Sequence, residues 1–287
     1  ILEKIESDPE DDEIKRVEKN LWLNIKLKCL EGRRTGFGIT AEGDMLAAMG
    51  LTYGSDEAID FSVQVHKALA CAAYRSSAIM AKDRGSFPIY DSKLEAKNPF
   101  IQRLKEADKE LYAMMLEYGR RNIALLTIAP TGSVSICTQT SSGIEPAFLV
   151  SYKRRRKVNP NDSNATISFY DKEGQAWEEY NVLHHKFALW AEINGYDVKS
   201  LEKLPEAELQ EIISKSPYNN ATANNINWVN KVKMQGAIQK WVDHSISVTV
   251  NIPKETTEEV VAQIYQTAWE SGCKGMTIYR DGSRDGV

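Results

Sequence analysis

A strand, helix and strand pattern near the carboxyl end of the chain constrains the fold more than any other feature. Residues 246–252 are a run rich in β-branched side chains, closed by a proline. Thr256 and Glu259 have the spacing of a helix capping box, an apolar stripe follows, and Gly272 is placed to end the helix. Residues 276–279 read as a second strand. Two strands joined through a helix form a right-handed parallel unit, so we predict an α/β fold.

An apolar run followed at once by a hydroxyl-rich turn lies near the middle of the chain. Residues 123–128 predict a buried parallel strand, and Pro130 ends it. Seven of the twelve residues 131–142 carry a hydroxyl, and residues 134–136 are placed to begin a helix, whose free N–H groups would face an anion. The alternative is an ordinary connection whose hydroxyls bond to their own backbone. The residue chemistry alone gives the two interpretations similar weight.

Length, charge and cysteine usage narrow the class of protein. The 287 residues contain no linker, internal repeat or low-complexity tract, so we predict a single domain over residues 1–287. The net charge of −4 argues against a nucleic-acid groove. The four cysteines are far apart and indicate reduced thiols rather than a disulfide framework or a metal site. With no apolar run of membrane-spanning length and no signal peptide, we predict a cytoplasmic protein without a membrane partner.

Helical periodicity covers much of the remaining chain. Asp8 is placed to cap a helix with Pro9 at its first position. Residues 55–82 read as a long helix. Residues 101–118 read as another helix, and so do residues 175–193.

Several chemically suggestive residues are poor candidates for sites. His184 and His185 are adjacent, and neighbours on a helix do not share a face, so they make a poor metal site. The basic run at residues 153–157 is more typical of a solvated strand edge than of a nucleotide or nucleic-acid site. Cys137 and Cys273 are interpreted as structural thiols.

Four segments, colinear over most of the chain, resemble the large catalytic chain of ribonucleotide reductases. The clearest is APTGS at residues 129–133 with SSGIEP at residues 141–146. The others are residues 32–38 with 44–46, residues 234–235 with 239–247, and residues 272–284, which end at Arg284. The chain is therefore identified as a member of that family. The resemblance implies the second half of a ten-stranded α/β barrel, with surrounding helices.

The last resembling segment indicates a subclass. Reductases that import their radical from a second protein carry two adjacent tyrosines there, whereas this chain has Tyr279 and Arg280. Arginine cannot be oxidised at an accessible potential, and the segment is similar to that of the adenosylcobalamin-dependent, class II enzymes. The resemblance therefore implies adenosylcobalamin as the cofactor. A fragment of a radical-importing, class I reductase is the alternative.

The resemblance also implies site residues. The substrate phosphate loop would consist of Pro130, Thr131, Gly132, Ser133, Val134 and Ser135. In that loop Pro130 makes the turn, and the residues after it supply N–H and hydroxyl donors. A glutamate stands at the position of Gly132 in the radical-importing relatives. Tyr279 takes the position of the first relay tyrosine and either lines the active-site cavity or packs inside the barrel.

The radical chemistry of the family needs a motif that this chain lacks. A thiyl radical forms on the cysteine of Asn-x-Cys-x-Glu in the family, and that motif does not occur here. The resemblance implies the C-terminal half of a reductase, present as a split product, a processed piece or a truncated chain. It would act with an N-terminal half carrying the motif, a ribonucleoside di- or triphosphate, and a thioredoxin-like or dithiol reductant. The alternative is a non-catalytic nucleotide- or phosphate-binding paralogue.

Overall fold

The computed structural model describes residues 1–159, 161–162 and 165–283. Its elements, in chain order, are α1 (Leu2–Ser7), α2 (Asp12–Gly32), α3 (Glu42–Ala48), α4 (Asp56–Arg84), α5 (Ser92–Glu95), α6 (Pro99–Ala107), α7 (Lys109–Tyr118), α8 (Gly132–Thr138), β1 (Ser151–Lys157), β2 (Phe169–Tyr170), β3 (Ala176–Leu183), α9 (His185–Ile193), α10 (Val198–Leu201), α11 (Glu206–Ser214), α12 (Trp228–Gln239), β4 (Thr249–Ile252), α13 (Glu258–Glu270) and β5 (Thr277–Arg280). Arg284 lies outside the described residues. None of the helices in the described ranges combines the length and hydropathy that a membrane crossing requires.

The chain divides into two compact units, each built from three stretches of sequence. The first unit is Ile1–Gly38, Val63–Ile128 and Ile238–Ser245, and the second is Ile39–Ser62, Ala129–Ala237 and Ile246–Val287. The single domain over residues 1–287 stays a prediction.

The first unit contains an extended segment at residues 123–128. The N–H of Phe37 donates to the carbonyl of Leu125 at 2.7 Å, and Phe37 forms a single parallel bridge with Leu126. The N–H groups of Leu125 and Leu126 donate to the Asp243 carboxylate at 2.9 and 2.8 Å. The predicted strand is reduced to isolated bridges at Leu126 and Ile128, because the Asp243 side chain takes the place of a backbone partner at Leu125 and Leu126.

The predicted start of the second helix is wrong by several residues. Asp8 is the residue at the carboxyl end of α1, where its N–H donates to the carbonyl of Ile5, and it does not cap the start of a helix. The next helix, α2, begins at Asp12, where the Asp11 carboxylate accepts from the N–H of Glu13 at 2.8 Å. The side chain of Asp11 therefore satisfies an N–H group that the first helical turn leaves open.

Two stretches predicted as single helices each contain a break. Residues 101–118 form α6 and α7, because Asp108 is extended, with φ −151° and ψ 95°, and accepts from the N–H of Leu111 at 2.9 Å. Residues 175–193 form the strand β3 and then α9. β3 pairs antiparallel with β1 along seven residues, so contacts distant in sequence override the local helical pattern.

The second unit holds the predicted strand, helix and strand unit. β4 and β5 pair in parallel, from Thr249 opposite Thr277 to Ile252 opposite Arg280, and α13 connects them. This confirms the predicted unit, although α13 begins after Thr257, one residue later than the predicted cap. The other sheet of the unit is antiparallel, with the strand order β1-β3-β2.

The described strands agree with the α/β class. They form one three-stranded and one two-stranded sheet, and no closed barrel is present in the described ranges. The ten-stranded barrel, of which this chain would supply the second half, stays an expectation of the family.

An apolar cluster in the second unit fixes the elements around the hydroxyl-rich turn. Phe187 of α9 is its fully buried aromatic residue, and Tyr218 and Leu209 pack in the same cluster. Ala47 of α3 and Ala147, just after the turn, belong to it too. Because each large buried side chain contributes roughly 1.5–3 kcal/mol, this cluster holds α3 and α9 beside the turn.

Candidate functional site

The hydroxyl-rich turn leads directly into α8. Thr131 precedes the helix with a φ of 53°, in the left-handed region, and its carbonyl accepts from the N–H of Ser135 at 2.8 Å. The first N–H groups of an α-helix have no intrahelical acceptor, so those of Gly132, Ser133 and Val134 point outward from the helix start. All three residues are exposed, and a Cβ added to Gly132 would meet nothing within 4 Å. The helix start is therefore open to a ligand.

The hydroxyl of Thr131 shapes the turn from inside. Thr131 Oγ1 accepts from the N–H of Gly143 at 2.7 Å. It also lies 2.9 Å from Oγ1 of Thr40. These contacts connect Thr131 and Gly143, at the two ends of the turn, with Thr40, which lies two residues before α3.

Ser135 has a similar internal role. Its hydroxyl donates to the carbonyl of Gly132 at 2.7 Å and lies 2.8 Å from Oγ of Ser142. Of the three hydroxyls predicted as donors in the phosphate loop, those of Thr131 and Ser135 thus contact the protein. Ser133 is the exposed hydroxyl residue in the first turn of α8.

A buried carboxylate ties the far limb of the turn to α3. Asp44 Oδ2 accepts from the N–H of Ser141 at 2.7 Å, and Ser141 Oγ accepts from the N–H of Asp44 at 3.2 Å. Asp44 Oδ1 lies 2.7 Å from Nε2 of His184 and accepts from the hydroxyl of Tyr218 at 2.9 Å. Asp44 is only 6% exposed, so these groups replace water around the carboxylate.

The hydrogen bonds set the ionisation of this network. Burial by itself would raise the pKa of Asp44, but the hydrogen bond and charge of His184, with the donors of Ser141 and Tyr218, lower that pKa below its ordinary value. Burial, and then the neighbouring Asp44 carboxylate, raise the pKa of the Tyr218 hydroxyl. Asp44 is therefore an ionised acceptor and Tyr218 a neutral donor near neutral pH.

A cavity of about 490 Å³ opens beside the network. Its lining is mostly apolar and comes from α3 and the two residues before it, from α9, and from one residue each in the turn and after α11: Thr40, Ala41, Asp44, Met45, Ala47, Ala48, Thr140, Lys186, Leu189, Trp190, Ile193 and Tyr218. This volume lies within the range of pockets that bind small molecules.

Tyr279 lies apart from the lining of this cavity. It is half-buried on β5, opposite Asn251 of β4. The side chain of Ile278 packs against the cluster of Val232 and Ile264, and neighbouring side chains on a strand point to opposite faces. Tyr279 therefore lies on the other face of β5 from that cluster.

Sequence reasoning did not assign the residues of the Asp44 network. Their hydrogen-bond partners are 97, 140 and 174 residues apart in the chain, so no local pattern joins them. Asp44 was visible only as part of a resembling segment, and His184 only as half of a histidine pair. Among the described residues, no group of three His, Cys, Asp or Glu side chains is placed to hold a metal ion.

Comparison with known proteins identifies the family. Residues 14–279 match the family model described as "Ribonucleotide reductase, barrel domain". Because this match covers most of the chain, the chain belongs to the ribonucleotide reductase barrel-domain family. The resemblance found in the sequence is thereby confirmed.

Individual relatives agree with this family. The chain is 30% identical over 262 residues to the "Vitamin B12-dependent ribonucleoside-diphosphate reductase" of Mycobacterium tuberculosis, and 28% identical over 256 residues to a protein of that name from Thermoplasma acidophilum. A "Vitamin B12-dependent ribonucleotide reductase" of Rhodopirellula baltica is 27% identical over 291 residues. Each alignment covers 88% of this chain but only 32%, 29% and 26% of the respective relatives, so the chain spans about a third of their length or less.

Proposed function

We propose that this chain is part of a ribonucleotide reductase, which reduces ribonucleoside di- or triphosphates to 2′-deoxyribonucleotides. Its own contribution is to hold the substrate phosphates on the turn before α8. Family membership supports the reaction. The observation that carries the phosphate role is the exposed helix start at Gly132, Ser133 and Val134.

The donors of this turn suit an anion whose oxygens accept hydrogen bonds, such as a phosphate. Three N–H groups converge at the positive end of a helix, where negative charge is stabilised. The hydroxyl of Ser133 adds a donor, while Thr131 and Ser135 keep the turn in shape through their contacts with Gly143 and Ser142. Residues 130–135 contain no basic side chain, so backbone dipoles carry the charge compensation within the turn.

We assign the radical step to the remainder of the reductase. The names of the relatives support adenosylcobalamin, which supplies a radical when it is bound. A corrinoid is considerably larger than a cavity of about 490 Å³, so the residues around this cavity do not fit the whole group. We therefore assign no residue of this chain to the cofactor and derive no step through it.

The remaining partners follow from the same proposal. A polypeptide segment with Asn-x-Cys-x-Glu would carry the thiyl radical, and a thioredoxin-like protein or dithiol would supply the reducing electrons. Tyr279 would line the active-site cavity of the assembled enzyme.

Nucleotide binding to the chain tests the phosphate loop directly. CDP, CTP and cytidine are titrated by calorimetry, with Gly132→Glu and the uncharged Gly132→Gln as a matched pair. A Cβ at Gly132 meets nothing within 4 Å, so the two variants differ mainly in the charge of the added side chain. The radical-importing relatives carry a glutamate at this position, but residues 130–135 of this chain offer no basic side chain to offset its charge next to the ligand. We expect CDP to bind more tightly than cytidine. Gly132→Glu should weaken CDP binding by at least about tenfold, equal to 1.4 kcal/mol, and Gly132→Gln much less. Equal affinity for CDP and cytidine would overturn the proposal.

Activity distinguishes the enzyme from the alternatives. CDP and CTP reduction is assayed with the polypeptide that supplies Asn-x-Cys-x-Glu, adenosylcobalamin and a dithiol. Turnover that requires cobalamin and is lost in Gly132→Glu supports the class II assignment. Turnover that requires a radical-generating second protein identifies a class I enzyme. Binding of CDP without turnover in either mixture identifies a non-catalytic phosphate-binding paralogue.

A further inference from the structure

The contact between Asp44 and Ser141 works in both directions. The backbone N–H of each residue donates to the side chain of the other, at 2.7 Å to the Asp44 carboxylate and at 3.2 Å to the Ser141 hydroxyl. Two hydrogen bonds between the same residues fix their orientation as well as their distance. Both residues are buried, so loss of either bond leaves a buried polar group without its partner.

The position of Ser141 determines where the start of α8 lies. Ser142, the next residue, contacts the Ser135 hydroxyl at 2.8 Å. Gly143 follows, and its N–H donates to Thr131 Oγ1 at 2.7 Å. Thr131 and Ser135 flank the three exposed N–H groups of the phosphate loop. A shift of Ser141 therefore moves both flanks of those donors.

The start of α8 needs such support from outside. The left-handed conformation of Thr131, with φ 53°, costs about 1–2 kcal/mol for a residue with a Cβ. A helix of seven residues is also far too short to be stable by itself in water. Tertiary contacts must therefore hold the turn in the conformation that presents its N–H groups.

Asp44 is itself anchored to the core of the second unit. The ring of Tyr218, which donates to Asp44, is 4% exposed and belongs to the cluster around Phe187. His184 immediately precedes α9, and its ring meets that of Tyr218 edge to face at 5.7 Å. The Asp44 carboxylate therefore links the core, through Tyr218 and His184, to the turn, through Ser141.

We propose that Asp44 is a positioning residue for phosphate binding. Its carboxylate, oriented by His184 and Tyr218, holds Ser141 and thereby the N–H groups of α8 in the arrangement that a phosphate requires. This inference rests on the phosphate-binding role proposed above.

A graded series of variants at Asp44 tests the inference. Asp44→Leu keeps the number and branching of the side-chain heavy atoms but has no acceptor, whereas Asp44→Asn keeps one amide oxygen that can accept from Ser141. The matched control is Asp171→Asn, since Asp171 also accepts from two backbone N–H groups and a side chain, that of Trp177, but lies in the β2–β3 connection. The readouts are the CDP dissociation constant and the rate of amide hydrogen exchange at residues 131–143, both well below the melting temperature of each variant.

We expect the affinity for CDP to fall further in variants that leave fewer acceptor oxygens at residue 44. Asp44→Leu should weaken CDP binding by at least about tenfold and speed exchange at residues 131–143. Asp44→Asn should be intermediate, which is a partial rescue that a merely space-filling role would not give. Tyr218→Phe should resemble Asp44→Asn, and Asp171→Asn should match the unmodified chain.

The contrary results are equally specific. Unchanged CDP affinity and unchanged amide hydrogen exchange in Asp44→Asn and Tyr218→Phe would overturn the inference. This test holds even if Asp44→Leu fails to fold, because it does not use that variant. If the unmodified chain binds CDP and loses it in Gly132→Glu while all Asp44 variants bind normally, only the positioning role is wrong. If the unmodified chain does not bind CDP, the proposed phosphate loop is wrong and this inference with it.

Discussion

The Lys231 ammonium lies 2.5 Å from the Glu145 carboxylate, and the Lys231 side chain is 1% exposed. Lys231 also donates to the Thr249 carbonyl at 2.5 Å, and the N–H of Thr249 donates to Glu145 at 2.7 Å. Glu145 belongs to residues 141–146, one of the segments that carry the family resemblance. The ion pair therefore fastens the end of the hydroxyl-rich turn to the first residue of β4.

Removal of the Lys231 charge should destabilise the protein strongly. Lys231→Met keeps most of the volume but leaves Glu145 without its counter-ion, and breaking a buried pair in this way costs roughly 3–5 kcal/mol. Because Glu145 is partly accessible to water, we expect about 3 kcal/mol in urea unfolding. Lys215→Met, in an exposed pair with Glu211, should cost less than about 1 kcal/mol. Equal losses in the two variants would contradict a buried pair.

Substitution of Gly38 should be poorly tolerated. A Cβ at this position would overlap the carbonyl oxygen of Thr127, which cannot move without disturbing the extended segment at residues 123–128. We expect Gly38→Ala to cost about 1–3 kcal/mol, the range for overpacked sites. The control is Gly275→Ala, which has open space and should stay within about 0.5 kcal/mol. Thermal unfolding of both variants checks the prediction. If Gly38→Ala leaves the stability unchanged, Gly38 does not lie as close to the Thr127 carbonyl oxygen as the structure shows.

Two residues with nearly the same φ should respond in opposite ways to glycine. Gln139 (φ 55°) ends α8 and is exposed, so Gln139→Gly should stabilise the protein by up to about 1 kcal/mol. At Thr131 (φ 53°), glycine would remove the same backbone strain but also the hydroxyl that accepts from Gly143. Thr131→Gly should therefore lower the free energy of unfolding by about 1 kcal/mol. Urea unfolding compares them. A stabilising Thr131→Gly would mean that its hydroxyl contacts contribute little.

The lowered pKa of Asp44 should appear in the pH dependence of stability. A carboxyl whose pKa is lower in the folded state contributes stability fully above its unfolded pKa, and that contribution is lost as the pH falls through the folded pKa. The difference in unfolding free energy between the unmodified chain and Asp44→Asn should therefore be largest above about pH 5 and shrink below about pH 4. Urea unfolding across this range measures it. If the difference grows as the pH falls, the pKa of Asp44 is not lowered by folding.

Local sequence patterns predicted the elements that are decided locally. The run ending at Ile252, the apolar stripe of α13 and the second strand at Thr277–Arg280 lie close together in the chain, and each has its own period and stop signal. The helix after Thr131 was visible for the same reason. The family was also visible, because its motifs are short and contiguous.

Patterns failed where a distant partner competes with local preference. Residues 176–183 carry a helical pattern, yet β1 offers them a full ladder of backbone hydrogen bonds, and they become a strand. Asp108 lies inside the helix predicted over residues 101–118, but its carboxylate caps the start of α7 by accepting from the N–H of Leu111.

By itself, the sequence determined the α/β class, the strand, helix and strand unit, the family and the location of the hydroxyl-rich turn. Only the tertiary structure decided which hydroxyls of that turn face inward and which carboxylate holds it. The Asp44 network joins residues 97 to 174 positions apart. Such contacts depend on how one apolar cluster brings together residues of α3 and α9, and packing is a property of the folded chain that no local spacing of residues encodes.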